Sequence, residues 1–238
     1  MYWSHRSSRA GTIDGMAFDP SSKNRLTVHD LGRFPGNGLL DRLGRAVSAA
    51  RCLPRKELYE AWQTARRVRR RFRGGRVVDV AGGHGLLAFV MLLLDRTSGD
   101  AVVVDPAPPH SAAALHDALR AAWPDVRPVR HAGVALDDFP LAADDVVVSC
   151  HACGSLTDRV LDAAAAARAR VAVVPCCHDF GDQRTAPLDG WLAPALAIDV
   201  RRAVTLEQRG YTVWTSTIPD AVTPKNRLLM GAPPLGQG

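Results

Sequence analysis

Apolar residues recur along this chain with two periods, and the alternation between those periods is the first structural signal. Short apolar runs at Arg76–Val80, Ala101–Asp105, Val126–His131, Asp145–Ser149 and Val171–Pro175 have the length and β-branched content of strands. Helical stretches separate them. Leu86 to Asp95 is apolar nearly all round, Leu115, Leu119 and Ala122 form a stripe, and Ser155-Leu156-Thr157-Asp158 has capping-box spacing before an alanine-rich helix. Upstream, Pro54 opens a helix in which Leu58, Trp62, Ala65, Val68 and Phe72 share a face until Gly74-Gly75 stops it, leaving its arginines facing outward. After the fifth strand come a helix ending near Gly210, a β-rich run Tyr211–Ile218, a Pro-Asp turn and a short strand at Arg227–Met230. Strands alternating with helices predict right-handed βαβ crossovers. The predicted fold is α/β and Rossmann-like, with a doubly wound, mostly parallel seven-stranded sheet and helices on both faces.

Three segments follow. Residues 1–36, rich in Ser, Gly and Arg without a sustained period, read as a flexible or loosely docked arm; residues 37–75 form a helical segment packing on the domain; residues 76–238 form the α/β domain itself. A chain of 238 residues that is 47% hydrophobic can bury one substantial core. No run of about 18 apolar residues occurs and the first thirty residues lack a signal-peptide core, so a cytoplasmic chain with no membrane partner is expected. Five cysteines (Cys52, Cys150, Cys153, Cys176, Cys177) are then expected as reduced thiols rather than a disulfide framework. The net charge is +6, and the excess is concentrated at Arg66, Arg67, Arg69, Arg70, Arg71, Arg73 and Arg76. That patch is a candidate contact for a polyanion such as RNA.

Chemistry concentrates at the strand ends. The first strand runs Val77-Val78-Asp79-Val80 into Ala81-Gly82-Gly83-His84-Gly85 and then directly into an apolar helix. Such a glycine bend lets backbone N–H groups and a helix N-terminus meet the polar groups of a nucleoside at the carboxyl edge of a parallel sheet. Gly83 to Ala88 also fits a dinucleotide fingerprint, and the acids decide between the two. Asp79, three residues before the glycines, would repel a pyrophosphate but can meet the cationic amino group of S-adenosyl-L-methionine (SAM). Asp105 ends the second strand, where a carboxylate can accept both ribose hydroxyls. The predicted cofactor site comprises Asp79, Ala81, Gly83, Gly85, Asp105, Pro106 and Cys150. No acid stands in His131-Ala132-Gly133 to hold an adenine amine, which leaves Asp137 or Asp138 as substitutes.

The fourth strand ends in Cys150-His151-Ala152-Cys153-Gly154 and the fifth in Pro175-Cys176-Cys177-His178. Adjacent parallel strands bring the two motifs together on the acceptor side of the crevice. Three readings stay open. His151, Cys153, Cys176 and His178 can form a catalytic floor in which a histidine takes the acceptor's proton near neutral pH. Cys150, Cys153, Cys176, Cys177 and His178 can instead gather a metal, although a Cys-Cys pair on a strand end points in opposite directions. Or the thiols pack the strand ends and the histidines cap helices.

The His-x-Cys-Gly and Pro-Cys-Cys motifs, together with Thr223-Pro224-Lys225-Asn226-Arg227, resemble those of class I SAM-dependent methyltransferase domains over residues 56–233. The group includes tRNA 2′-O-methyltransferases and methyltransferase-like proteins of undefined substrate. The resemblance implies SAM at Asp79, Gly83, Gly85 and Asp105, and an acceptor near His151, Cys153, Cys176 and His178. Joined to the arginine patch, it makes RNA, tRNA included, the expected acceptor. A small molecule or peptide under a lid formed by the arm and residues 180–200 is the alternative. A non-catalytic SAM- or metal-binding module is the third reading.

Overall fold

The computed structural model describes residues 18–181, 185 and 187–234. Two helices come first, α1 (Leu39–Ala50) and α2 (Arg55–Arg71), followed by β1 (Val77–Val80), α3 (Leu86–Leu94), β2 (Ala101–Val104), α4 (Ala112–Ala122) and β3 (Val129–Ala132). The second half holds β4 (Val146–Ser149), α5 (Leu156–Ala166), β5 (Arg170–Val173), α6 (Pro194–Gln208), β6 (Thr212–Thr217) and β7 (Arg227–Ala232). The seven strands form one sheet in the order β3-β2-β1-β4-β5-β7-β6. The first five are parallel, and β7 runs antiparallel to both β5 and β6. This is the Rossmann-like α/β sheet that the alternating periods predict.

Strand composition follows from burial on both faces. Val77, Val103, Val146 and Val148 point into one core with α1, α2, α3 and α4. Their chain neighbours Val78, Val102, Val104 and Val147 point into the other core, with Val160 and Leu161 of α5 and Leu206 of α6. Helix α3 is apolar all round because it is buried all round: every residue from Leu86 to Leu93 is buried. The αL Gly85 opens that helix, and Pro54 precedes α2. Among the described residues no helix is long and apolar enough to cross a membrane.

Some local expectations change. Ser155 makes no side-chain cap bond, since its backbone is helical (φ -67°, ψ -18°) rather than extended, and Asp158 pairs instead with Arg202 at 2.7 Å. The outward arginine face of α2 is interrupted by Arg69, which is 2% exposed. Its guanidinium donates to the Met91 carbonyl at 3.0 Å and to Ser98 Oγ at 2.7 Å, and pairs with Asp95 at 3.3 Å. Of the N-terminal segment, residues 1–17 lie outside the described residues. Residues 18–36 carry Leu26 and Phe34, both buried against α1 and α2, and a 3-10 turn at Val28–Arg33 capped by Thr27.

Candidate active site

The glycine bend is built around a buried acid. Asp79 is 1% exposed, and its Oδ2 accepts the Ala88 N–H at 3.1 Å in the first turn of α3. Burial pushes its pKa up to about 7, against the opposing pull of that bond. A Cβ on Gly82 would stand 2.5 Å from Asp79 Cγ, so only glycine lets the backbone pass over this carboxylate. Gly85 has φ 77°, and a side chain there would also strike Val103 at 2.9 Å. Ala81 takes a left-handed φ of 52° without glycine's freedom, a conformation that costs roughly 1 kcal/mol.

Side chains from the neighbouring strands hold the bend in place. Asp105 Oδ2 accepts the Gly83 N–H at 3.1 Å and its Oδ1 accepts the Ala107 N–H at 3.0 Å. His131 Nε2 donates to the Gly83 carbonyl at 3.0 Å, and His116 Nε2 donates to the His84 carbonyl at 3.1 Å. Since a carbonyl only accepts, both rings carry their proton on Nε2. His84 Nε2 lies 2.8 Å from Ser111 Oγ. Burial lowers the pKa of His116, helped by the adjacent His131 ring 5.0 Å away, and burial also lowers that of His84. Neutral rings suit these positions. These two supports leave no signature in the sequence, because each bonds to backbone rather than to a recognisable partner residue.

Above the bend is a crevice of about 320 Å³. The bend supplies Asp79, Ala81, Gly82, Gly83 and His84, α3 supplies Leu86 and Leu87, and the end of β4 supplies Cys150 and His151. The remaining wall comes from Leu53, from Glu57 and Ala61 of α2, and from Pro109. Glu57 was not singled out from the sequence. Burial raises its pKa, while the nearby His151 opposes that shift, so an acid and a base from distant parts of the chain face one crevice. Cys150 is buried with its Sγ 3.4 Å from Thr64 Oγ1, and burial drives its thiol pKa far above the ordinary value.

Other predicted site residues lie elsewhere. Asp105 touches the bend without lining the crevice, and the exposed Pro106 yields its place to Pro109. Asp137 pairs with Arg159, and neither it nor the exposed Asp138 reaches the crevice. The His178 side chain is 6% exposed and bonded through Nε2 to Asp199 at 2.9 Å, inside an ion cluster with Arg202 and Arg227. Cys153, Cys176 and Cys177 meet one another away from the crevice wall, their sulfurs within 4.8 Å. The vicinal pair converges because β5 ends at Val173, which puts both cysteines in the following loop and frees them from strand alternation. Burial pushes the Cys176 thiol up to about 12. Hydrogen bonding from Cys153, then from Cys176 and Lys225, lowers that of Cys177. Of the expected lid, residues 182–184 and 186 lie outside the described residues; Trp191 is 87% exposed, and Trp214 packs on Phe72.

The arginine patch is largely engaged within the fold. Besides the buried Arg69, Arg67 donates to the Thr217 carbonyl at 2.8 Å, Arg71 lies over Trp214, Arg66 over Trp62, and Arg76 pairs with Asp145 at 2.8 Å. Arg66, Arg70, Arg71 and Arg73 are nonetheless exposed, Arg73 while donating to the Leu94 carbonyl at 3.3 Å.

Residues 56–180, more than half of the chain, match a protein family described as "Methyltransferase domain". No curated protein matches by sequence. Among solved structures, the apo form of the S-adenosylmethionine-dependent methyltransferase SibL is 19% identical, with a TM-score of 0.51, covering 93% of this chain and 72% of its own. An O-methyltransferase family protein from Burkholderia thailandensis is 18% identical, with a TM-score of 0.50 over 87% of this chain and 64% of its own. At these identities the likeness is one of fold.

Proposed function

Since the chain belongs to the methyltransferase-domain family and is a SAM-dependent methyltransferase, we propose that it methylates the oxygen of a small, hydroxyl-bearing acceptor delivered beside His151. The residues present fit the cofactor. A carboxylate with a pKa of about 7 at the crevice floor suits a cationic amino group, and Gly82 is bare where a side chain would cover that carboxylate. Asp79 would hold the amino group. Asp105 would accept the ribose hydroxyls on the lone pairs left by Gly83 and Ala107, and Leu86, Leu87 and Ala61 would supply apolar wall.

SAM brings an activated methyl group on a sulfonium, so the protein's work is alignment and the handling of one proton. The observation that carries the reading is Glu57 beside His151 in one crevice. His151 accepts the proton of the acceptor hydroxyl, and the Glu57 carboxylate stabilises the imidazolium that results. An amine acceptor would need no such pair. The arginines of α2 lend little support to RNA. Glu57 marks the crevice end of that helix, and Arg66 and Arg70 follow nine and thirteen residues later. At helical rise that is roughly 14 and 20 Å along the axis.

The test is transfer from methyl-labelled SAM into fractionated cell extract, with and without ribonuclease. Label is expected in a low-molecular-weight fraction that ribonuclease leaves unchanged. His151→Ala is expected to lower kcat by about 10²- to 10⁴-fold while SAM affinity stays within about threefold. Label confined to a ribonuclease-sensitive fraction, or a His151→Ala enzyme with full turnover, contradicts the reading.

A further inference from the structure

We propose that Cys153, Cys176 and Cys177 bind one soft divalent cation of the zinc class through three thiolates, at a site separate from the cofactor crevice. Their sulfur atoms lie within 4.8 Å of one another, with Cys153 Sγ and Cys176 Sγ 3.1 Å apart. Zinc–sulfur bonds of about 2.3 Å in tetrahedral geometry require sulfurs roughly 3.8 Å apart, so small rotations of these side chains suffice. An all-sulfur donor set selects a thiophilic ion over magnesium or calcium.

The scaffold holds the donors together before any ion arrives. Cys153 follows the end of β4 and the vicinal pair follows the end of β5, adjacent parallel strands in register from Val146 opposite Arg170 to Ser149 opposite Val173. The Gly154 N–H donates to the Cys177 carbonyl at 3.2 Å, tying one loop directly to the other. Arg202 of α6 donates to the Gly154 carbonyl at 3.1 Å, fixing that loop from the other side. The loops that carry Cys153 and Cys177 are therefore held by contacts that do not depend on the sulfurs.

Charge also balances. Three thiolates around a dication carry a net charge of minus one, and Lys225 Nζ stands 3.4 Å from Cys177 Sγ, where it donates to the sulfur and cancels that charge. Among the described residues no further His, Cys, Asp or Glu joins the three-sulfur group. Zinc's fourth position is thus open to water or to an added ligand, the arrangement of reactive rather than purely structural sites. Cys150 and His178, which the metal-binding alternative in the sequence included, are excluded, since Cys150 is buried on Thr64 and His178 is committed to Asp199.

The experiment uses the full chain purified under reducing, metal-free conditions and then loaded with Zn²⁺ or Co²⁺. About one equivalent of zinc per chain is expected, with Co²⁺ giving near-ultraviolet thiolate-to-metal charge-transfer absorption. Cys153→Ser, at an exposed position the fold tolerates, is expected to abolish retention of the metal through gel filtration, as is Cys176→Ser. Cys52→Ser is expected to keep it, and Lys225→Met to keep the stoichiometry while weakening affinity by about 10- to 100-fold. Circular dichroism checks that each variant is folded. The proposal is overturned if the folded, fully reduced protein retains no zinc and shows no charge-transfer band with Co²⁺. It is equally overturned if anaerobically purified protein carries a Cys153–Cys176 disulfide, or if folded Cys153→Ser binds zinc as tightly as the parent. None of these readouts depends on methyl transfer.

Discussion

Asp79 is a carboxylate at 1% exposure with a pKa of about 7, so the folded chain without cofactor holds a proton that the unfolded chain releases above its ordinary value of 3.8. This group's contribution to stability therefore falls as pH rises from about 4 to about 7 and stays low above that. A cationic amino group set against the carboxylate removes the penalty by favouring its charged form. SAM keeps an ammonium through this range, since α-amino groups titrate near 8. SAM affinity is accordingly expected to be roughly fivefold weaker at pH 6 than at its maximum near pH 7.5, where Asp79 is mostly charged and most of the ammonium remains, with the increase in Tm on adding SAM larger at pH 7.5 than at pH 6. Calorimetric titration and thermal melts across that range measure both, and an affinity flat from pH 6 to pH 8 would remove Asp79 from the amino-group site. The importance of this residue is legible in the sequence because an acid interrupts an apolar strand. Glu57 is not legible in the same way, since nothing in Arg55-Lys56-Glu57 signals that α2 packs beside a strand end more than ninety residues later.

Helix α2 serves different purposes along its length. Its first turns wall the crevice through Glu57 and Ala61, its apolar face packs on α3, and its last turns tie the helix to the far end of that same helix. Arg69 makes the tie, joining Met91, Phe72, Ser98 and Asp95 in a buried network. Burial lowers even its guanidinium pKa to about 10, with Asp95 working to restore it. Arg69→Met would leave Asp95, at 4% exposure, without its buried partner, and is expected to destabilise the fold by about 3–5 kcal/mol. Arg70→Ala, one residue along and exposed, is expected to stay within about 0.5 kcal/mol of the parent. Urea unfolding of the two variants makes the comparison, and equal stabilities would show that the network contributes nothing. The sequence presents both arginines as members of one basic cluster. Which of them turns inward is set by the helix phase relative to Asp95 and Ser98, and composition does not carry that information.

Across the whole molecule, strand identity was the most readable feature. Parallel strands buried on both faces are continuous valine-rich runs, and β1, β2, β4 and β5 all fall within a residue or two of where those runs predict them. The interdigitation of the two halves was not readable. His178 was expected beside the acceptor because it follows Pro-Cys-Cys, yet Asp199, twenty-one residues on in α6, draws it into a separate ion cluster. The sheet order sets the outcome: β1 lies between β2 and β4, so the bend, Asp105 and His151 converge where the chain reverses its direction of winding.

The account rests on a nucleoside with a sulfonium centre sitting over the Gly82-Gly83 bend between Asp79 and Asp105. Isothermal titration of the full chain with SAM and with a nicotinamide dinucleotide, repeated on Asp105→Ala, addresses it directly. The expected result is one SAM site, no heat from the dinucleotide, and affinity for SAM reduced at least roughly tenfold in Asp105→Ala through loss of charge-assisted hydrogen bonds. Undiminished SAM binding by folded Asp105→Ala, or displacement of SAM by the dinucleotide, would contradict it.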